Sequence, residues 1–372
     1  MSEETQAPSP EALHAAELEL LAAHDTGPRP PGWRLTPAAV VTFITGSNGE
    51  VLKAGKVTGR AIEQKFVGDR GLVERAVVTL AGERGLLLVG EPGTAKSMLS
   101  ELLAAAISGT SALTVQGTAG TTEDQLRYGW NYSLLLAQGP GVPAIVPSPV
   151  LTAMRRGQIA RVEEVTRCLP EVQDALVSIL SDRRVAVPEL GDHTEPARPG
   201  FNIVATANLR DRGVSEMSAA LKRRFNFENV PPIAHAEAEV ALVRARARQA
   251  LERIGQPLAV DDAVIGAIVT AFRDLRNGVS AEGWAVEKPG TVMSVAEAVG
   301  VATACGIQAA FFPGARDPLN LVPGYLLGVV LKDDPKDRGR LLAYWDGAVK
   351  RRAERERLWK QLHELRRVLE EA

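Results

Sequence analysis

Between about residues 67 and 232, short unbroken apolar runs alternate with longer stretches of helical period. The runs are GLLLVG at 85–90, ALTVQG at 112–117, QIARV at 158–162 and FNIVATAN at 201–208. Runs of this length between amphipathic segments predict strands buried on both faces of a parallel sheet, the core of an α/β fold. Met98, Leu99, Leu102, Leu103, Ala106 and Ile107 keep a helical period after the first run. Val172, Leu176, Ile179 and Leu180 do so after the third, with Pro170 placed to open that helix. From about residue 236 the strands stop, and alanine-rich helices are predicted over 236–251, 261–277 (with Asp261 as cap) and 294–311. Residues 335–372 are highly charged, with Leu358, Leu362, Leu365 and Leu369 forming a short helical seam that should pack on its own domain. At the other end, the leucines of 11–23 predict a short helix, and the breaker GPRPPG at 27–32 a peripheral arm. The pattern divides the chain into an N-terminal helix and arm (1–36), an α/β core (37–232), a helical domain (233–332) and a charged C-terminal helix (333–372).

Composition changes this picture little. The chain has 372 residues with 45% hydrophobic and 24% charged positions, ordinary for a globular protein of two domains. Its formal charge of −2 gives no reason to expect a whole-surface attraction to nucleic acid or anionic membrane. Cys168 and Cys305 cannot build a disulfide framework and fit no zinc spacing, so both are expected as buried or partly buried thiols. No apolar run approaches a membrane span, and the acidic MSEETQAPSP start lacks the apolar stretch of a signal peptide. A cytoplasmic setting is expected.

The strongest chemical signal is GEPGTAKS: Gly90, Glu91, Pro92, Gly93, Thr94, Ala95, Lys96 and Ser97. It follows a strand and opens a helix, the context in which backbone amides and a helix N-terminus meet phosphate charge. Lys96 would reach the β- and γ-phosphates of ATP, and the Ser97 hydroxyl would ligate Mg²⁺. Ala95 stands where the general pattern has glycine, which is tolerable if that residue already has a helical φ. Downstream, IARVEE at 159–164 resembles a Walker B segment. Glu163 would take the metal role and Glu164 would polarise the attacking water. Glu163 is one methylene longer than the usual Asp, and Arg161 interrupts the apolar strand, so it must be paired or near an edge. The bland reading is a surface Glu-Glu pair at a strand end. Asn208, just past the last buried strand, could hold the water or the γ-phosphate. Arg224, and behind it Arg223, could project into a neighbouring subunit's ATP site as an arginine finger, or form a solvated basic helix end.

Taken in order, GEPGTAKS, VEEVTRCLPEVQDALVSIL, FNIVATAN and LKRRF resemble the MoxR family of AAA+ ATPases over residues 65–330. The resemblance implies a P-loop NTPase core with a C-terminal all-helical lid, using ATP and Mg²⁺. It implies an inserted helical hairpin at 124–148 and a β-hairpin at 185–198. It also places Lys65-Phe66-Val67-Gly68 near the adenine, with Phe66 and Val67 as base contacts. Tyr128 and Trp130, inside the insertion, are read as ordinary core aromatics. The lid's sensor arginine is missing: Ser294 stands at its place, with Lys288 as a candidate substitute. The biological task implied is ATP-driven remodelling or maturation of a protein client, by a homo-oligomer expected as a hexameric ring. The client could carry a von Willebrand factor A domain. Two other readings stay open. One is a module that binds nucleotide and assembles but barely hydrolyses, and the other is a nucleic-acid motor, against which the near-neutral charge argues.

Overall fold

The structure is a computed structural model that describes residues 8–371, apart from 56, 209–213, 313–316 and 333. The described residues form two compact units, one of residues 8–91 with 95–231 and the other of residues 92–94 with 232–371.

The first unit begins with helices α1 (Pro10–Leu13), α2 (Ala15–His24) and α3 (Pro37–Thr45) and a β-hairpin of β1 (Val51–Ala54) and β2 (Val57–Ala61). Helix α4 (Arg70–Ala81) leads into strand β3 (Gly85–Val89), helix α5 (Lys96–Ser108) and strand β4 (Thr114–Gln116). A small antiparallel ribbon, β5 (Tyr128–Trp130) with β6 (Ile145–Pro147), brackets helix α6 (Tyr132–Gln138). There follow α7 (Pro149–Arg156), β7 (Ile159–Glu163), α8 (Pro170–Asp182), the antiparallel pair β8 (Arg184–Ala186) and β9 (Thr194–Pro196), β10 (Asn202–Ala207), α9 (Ala219–Lys222) and β11 (Phe225–Asn229).

Five strands make one parallel sheet in the order β11-β3-β10-β7-β4. Every residue of β3, β7 and β10 is buried, which is why these strands read as mostly apolar runs, with Arg161 and Glu163 as the charged exceptions in β7. Alternate residues serve opposite faces. Leu86, Leu88, Ile159 and Val204 join one core cluster with α3, α4 and α5, while Leu87, Val89, Ala160, Val162 and Ala205 join another with α7 and α8. The α/β parallel core is thus as predicted, and Pro170 does open α8.

Three details differ from expectation. The N-terminal stretch is not peripheral: Leu18, Leu20 and Leu21 are fully buried in the same cluster as α3 to α5. The insertion at 124–148 is a two-stranded ribbon around one short helix rather than a helical hairpin, because Gly129 and the prolines at 140, 143 and 147 interrupt helical propagation. The fifth strand, β11, has only alternating burial at the sheet edge, so it offers no apolar run to read. By contrast, the β8–β9 pair spans 184–196, within one residue of the 185–198 the resemblance implied at its start and two at its end, and Tyr128 is buried with Trp130 packed edge-on at 5.9 Å.

The second unit is helical: α10 (Ala236–Glu252), α11 (Asp262–Asn277), α12 (Val295–Phe311), α13 (Val322–Val330), α14 (Asp337–Tyr344), a π turn over Trp345–Val349, then α15 (Lys350–Ala353), α16 (Arg357–Glu364) and α17 (Arg366–Glu371). Asp261 sits at the N-cap of α11 but makes no side-chain cap bond. The C-terminal seam packs on its own domain, with Leu362 and Leu369 buried beside α11 and α13 residues. One polar knot lies inside this unit. Arg352, 4% exposed, forks onto Glu282 at 2.7 and 2.6 Å and reaches Asp274 at 2.7 Å, beneath Trp359. Cys168 and Cys305 are both buried and unbridged. Among the described residues, no helix is long and apolar enough to cross a membrane.

Candidate functional site

Strand β3 ends at Val89, the loop 90–95 follows, and α5 starts at Lys96. The Lys96 side chain is buried and folds back on its own loop, its Nζ donating to the carbonyls of Gly90 (3.1 Å) and Glu91 (2.7 Å). The expectation for Ala95 is overturned: it has φ +65° and ψ +25°, the left-handed region, and not a helical φ. The loop must reverse before its amides can face outward at the helix N-terminus, and only a positive φ turns the chain there. A left-handed alanine costs about 1–2 kcal/mol, partly offset here by packing of its methyl against the core. Ala95→Gly is therefore expected to stabilise the protein by about 1 kcal/mol, read as a higher urea midpoint. A lower midpoint would mean that methyl packing dominates.

The carboxyl end of β10 lies beside that of β3, with β7 next across the sheet, at the edge where ligands of open α/β sheets bind. Glu163, the last residue of β7, is 4% exposed. Its Oε1 accepts from Ser100 Oγ at 2.5 Å and Arg161 Nη2 at 2.8 Å, and its Oε2 from Thr206 Oγ1 at 2.8 Å. Burial would raise its pKa, but the bonds from Ser100 and Ser97, the Arg161 charge and the Thr206 hydroxyl outweigh it and hold the carboxyl below its ordinary value. Arg161 is not at an edge, since β7 lies between β10 and β4; it is paired.

Glu164 follows in the left-handed region, φ +53° and ψ +44°. Such a backbone costs about 1–3 kcal/mol in a non-glycine residue and persists only where neighbours hold it. Here Thr206 Oγ1 accepts from the Glu164 amide at 3.0 Å, and the Glu164 carbonyl accepts from the Arg167 amide at 2.9 Å. The turn swings the Glu164 side chain away from Glu163 and toward β10. There Asn208 Nδ2 donates to both carboxylate oxygens, at 3.0 and 3.2 Å, and Arg167 Nε approaches Oε2 at 3.4 Å. Asn208 is 5% exposed, and its Oδ1 is buried with no hydrogen-bond partner among the described residues. The sequence pointed to Glu163, Glu164 and Asn208, but not to Thr206 or Ser100, whose hydroxyls tie them together. A serine one turn after Ser97 and a threonine two before Asn208 were the only traces.

The other sequence candidates are placed differently. Phe66 is 2% exposed and buried in the core with α3 and α4, its amide bonded to the Ile44 carbonyl, while Val67 is half-buried. Lys65 is buried in an ion pair with Glu17 at 2.5 Å. Arg224 is tied within its own chain, Nε to Ser181 Oγ and Nη1 to the Ala220 carbonyl, both at 2.8 Å. Arg223 is exposed. In the helical unit, Ser294 caps α12 by accepting from the Glu297 amide at 3.2 Å, a role arginine could not fill. Lys288 is exposed, its stem lying over Gly278. Arg276 reaches the Met293 carbonyl at 3.0 Å and shares the fully buried Glu239 with Arg273.

Residues 85–225 match the AAA domain of the dynein-related subfamily, and residues 237–370 match the YehL-like AAA+ ATPase C-terminal domain. The chain is 48% identical over 348 residues to the uncharacterized protein YehL of Escherichia coli (strain K12), covering 92% of both chains. An uncharacterized protein of Staphylococcus haemolyticus (strain JCSC1435) is 27% identical over 61% of this chain and 81% of its own. Among solved structures, NtrX from Brucella abortus, crystallised with ADP and with ATP, superposes with a TM-score of 0.50 at 15% identity. That match covers 82% of this chain and 63% of NtrX, less than two thirds of it, and shows a shared fold.

Proposed function

This chain belongs to the AAA+ ATPase family of YehL, and from that premise we propose that it binds Mg·ATP at residues 90–97 and hydrolyses it with Glu164 as the general base. The observation that carries this reading is the Glu164–Asn208 pair at the ends of β7 and β10. A half-buried carboxylate held by an amide and turned out of its strand by a strained backbone is a group kept ready for work. With no partner among the described residues, Asn208 Oδ1 offers that amide an acceptor with which to receive a water. When the γ-phosphate draws on Asn208 Nδ2, Glu164 is released to take the water's proton. Ser97 and Glu163 fit Mg²⁺ in chemistry, being oxygen donors at the start of α5 and the end of β7. The described residues hold no group of three or more His, Cys, Asp or Glu that could cage a metal, which suits an ion completed by waters and phosphate. Bound there, Mg²⁺ would neutralise charge on the β- and γ-phosphates. Lys96 would exchange its two loop carbonyls for phosphate oxygens.

The finer reading, resting on the motif order, is a MoxR-type oligomer in the cytoplasm that remodels or matures a protein client. Arg223, exposed while Arg224 is tied down, is the better placed of the two to serve a neighbouring subunit. The second reading, an assembling nucleotide binder with little turnover, is favoured by the Arg161 charge on Glu163. Lys96→Ala is expected to abolish detectable ATP binding in calorimetry, while wild-type phosphate release per subunit rises with protein concentration. Near-normal affinity in the variant would remove the phosphate-loop assignment. Tight binding with no turnover at any concentration would favour the second reading.

A further inference from the structure

We propose that Arg161 is a positioning residue, whose guanidinium fixes the Glu163 carboxylate in the one setting from which, with Ser97, it supports Mg²⁺. The inference rests on the ATPase reading above. Arg161 and Glu163 are two apart on β7, so both side chains leave the same face of the sheet, the face covered by α5. Arg161 is 8% exposed in a strand whose other residues before Glu163 are apolar, a costly place for a cation unless its donors are met.

They are met completely. Nε donates to Ser100 Oγ (3.1 Å); Nη1 to the Ser111 carbonyl (3.0 Å) and Thr114 Oγ1 (3.1 Å); and Nη2 to the Ser97 carbonyl (3.4 Å) and Glu163 Oε1 (2.8 Å). A guanidinium has five N–H directions, and each has an acceptor. The same group therefore touches the first turn of α5, the start of β4 and the acid at the end of β7.

Glutamate has one more torsion than aspartate and would otherwise sample several positions. Arg161 and Ser100 together fill Oε1, and Thr206 braces Oε2, so the carboxylate has one orientation left. The bond from Nη2 to the Ser97 carbonyl ties the residue bearing the metal-facing hydroxyl to the same fork. A lysine could supply the charge but not this planar reach to separate partners.

The test compares ADP dissociation constants with Mg²⁺ and with EDTA, by calorimetry on the full chain, and takes their ratio as the Mg²⁺ enhancement. Outer-shell partners of a metal site typically contribute 10–100-fold in metal affinity. Arg161→Met is accordingly expected to lower the enhancement by about tenfold or more while leaving affinity in EDTA near the wild-type value. Arg161→Lys should fall between the two. An enhancement in Arg161→Met equal to wild type, or affinity lost equally with and without Mg²⁺, overturns the proposal, since a merely structural arginine predicts those results. Should the Met variant fail to fold, the Lys variant decides: a wild-type enhancement there overturns it. Wild-type protein that binds no nucleotide under either condition would instead sink the ATPase reading itself.

Discussion

Glu164→Gln is expected to leave nucleotide binding nearly intact while lowering ATP turnover by about 10²–10⁴-fold, the usual contribution of a positioned general base. Glutamine keeps the size of the side chain and can still pair with the Asn208 amide through its carbonyl, so the left-handed backbone and the Thr206 bond to the Glu164 amide should survive. What it loses is the ability to accept a proton. Phosphate release and nucleotide affinity must be measured on the same sample, because the expectation is a split between them. A variant that turns over within about tenfold of wild type would show that the water is activated elsewhere, since a base contributes more than that. A variant that loses affinity as well would place Glu164 in the phosphate site rather than beside it.

The second large effect is on stability. Arg352→Met should cost about 3–5 kcal/mol, because it leaves Asp274, 2% exposed, as an uncompensated buried charge. Asp274→Asn in the same chain should recover part of the loss, which urea titration of the single and double variants would measure. The same knot sets an acid response. The Glu282 carboxyl is held down to about 2, chiefly by the Arg352 fork, against an ordinary value of 4.5. A depressed carboxyl contributes stability that is present above its unfolded pKa and lost as pH falls through the folded one. The Glu282 share should thus fade between about pH 4.5 and 2 in the wild type and be missing from Arg352→Met. Asp274 works the other way, since burial raises its pKa despite the bonds from Arg352 and Tyr344. A Met variant with unchanged stability and an unchanged acid limb would mean that the knot contributes little.

Four of the five sheet strands and the helices after them were legible because buried strands leave short apolar runs and a one-sided helix leaves a period, whereas the edge strand β11, with alternating burial, left no such run. The loop 90–97 was legible for a related reason: its glycines, lysine and serine act within eight consecutive residues. So were the order of the acids and the asparagine, and the all-helical second unit. All of these are properties of neighbours in sequence.

Where chain segments meet across long separations, only the tertiary structure decided. Glu163 is oriented by Thr206, 43 residues on, and by Ser100, 63 residues back; four of the five acceptors of Arg161 lie 47 to 64 positions away. No periodicity encodes such partners, because each depends on which strand lies beside which. The same holds for Leu18, Leu20 and Leu21, whose helical pattern was visible but whose burial depended on α3 and the β1–β2 hairpin packing against α2. Ala95 gives the converse case: its neighbours in sequence suggested a helical φ, and the need of the loop to reverse before α5 imposed the opposite sign. Sequence pattern thus determined which groups this protein could bring to a nucleotide. Packing decided how they are held, since hydrogen bonds and charge pairs act over a few ångströms of space irrespective of distance along the chain.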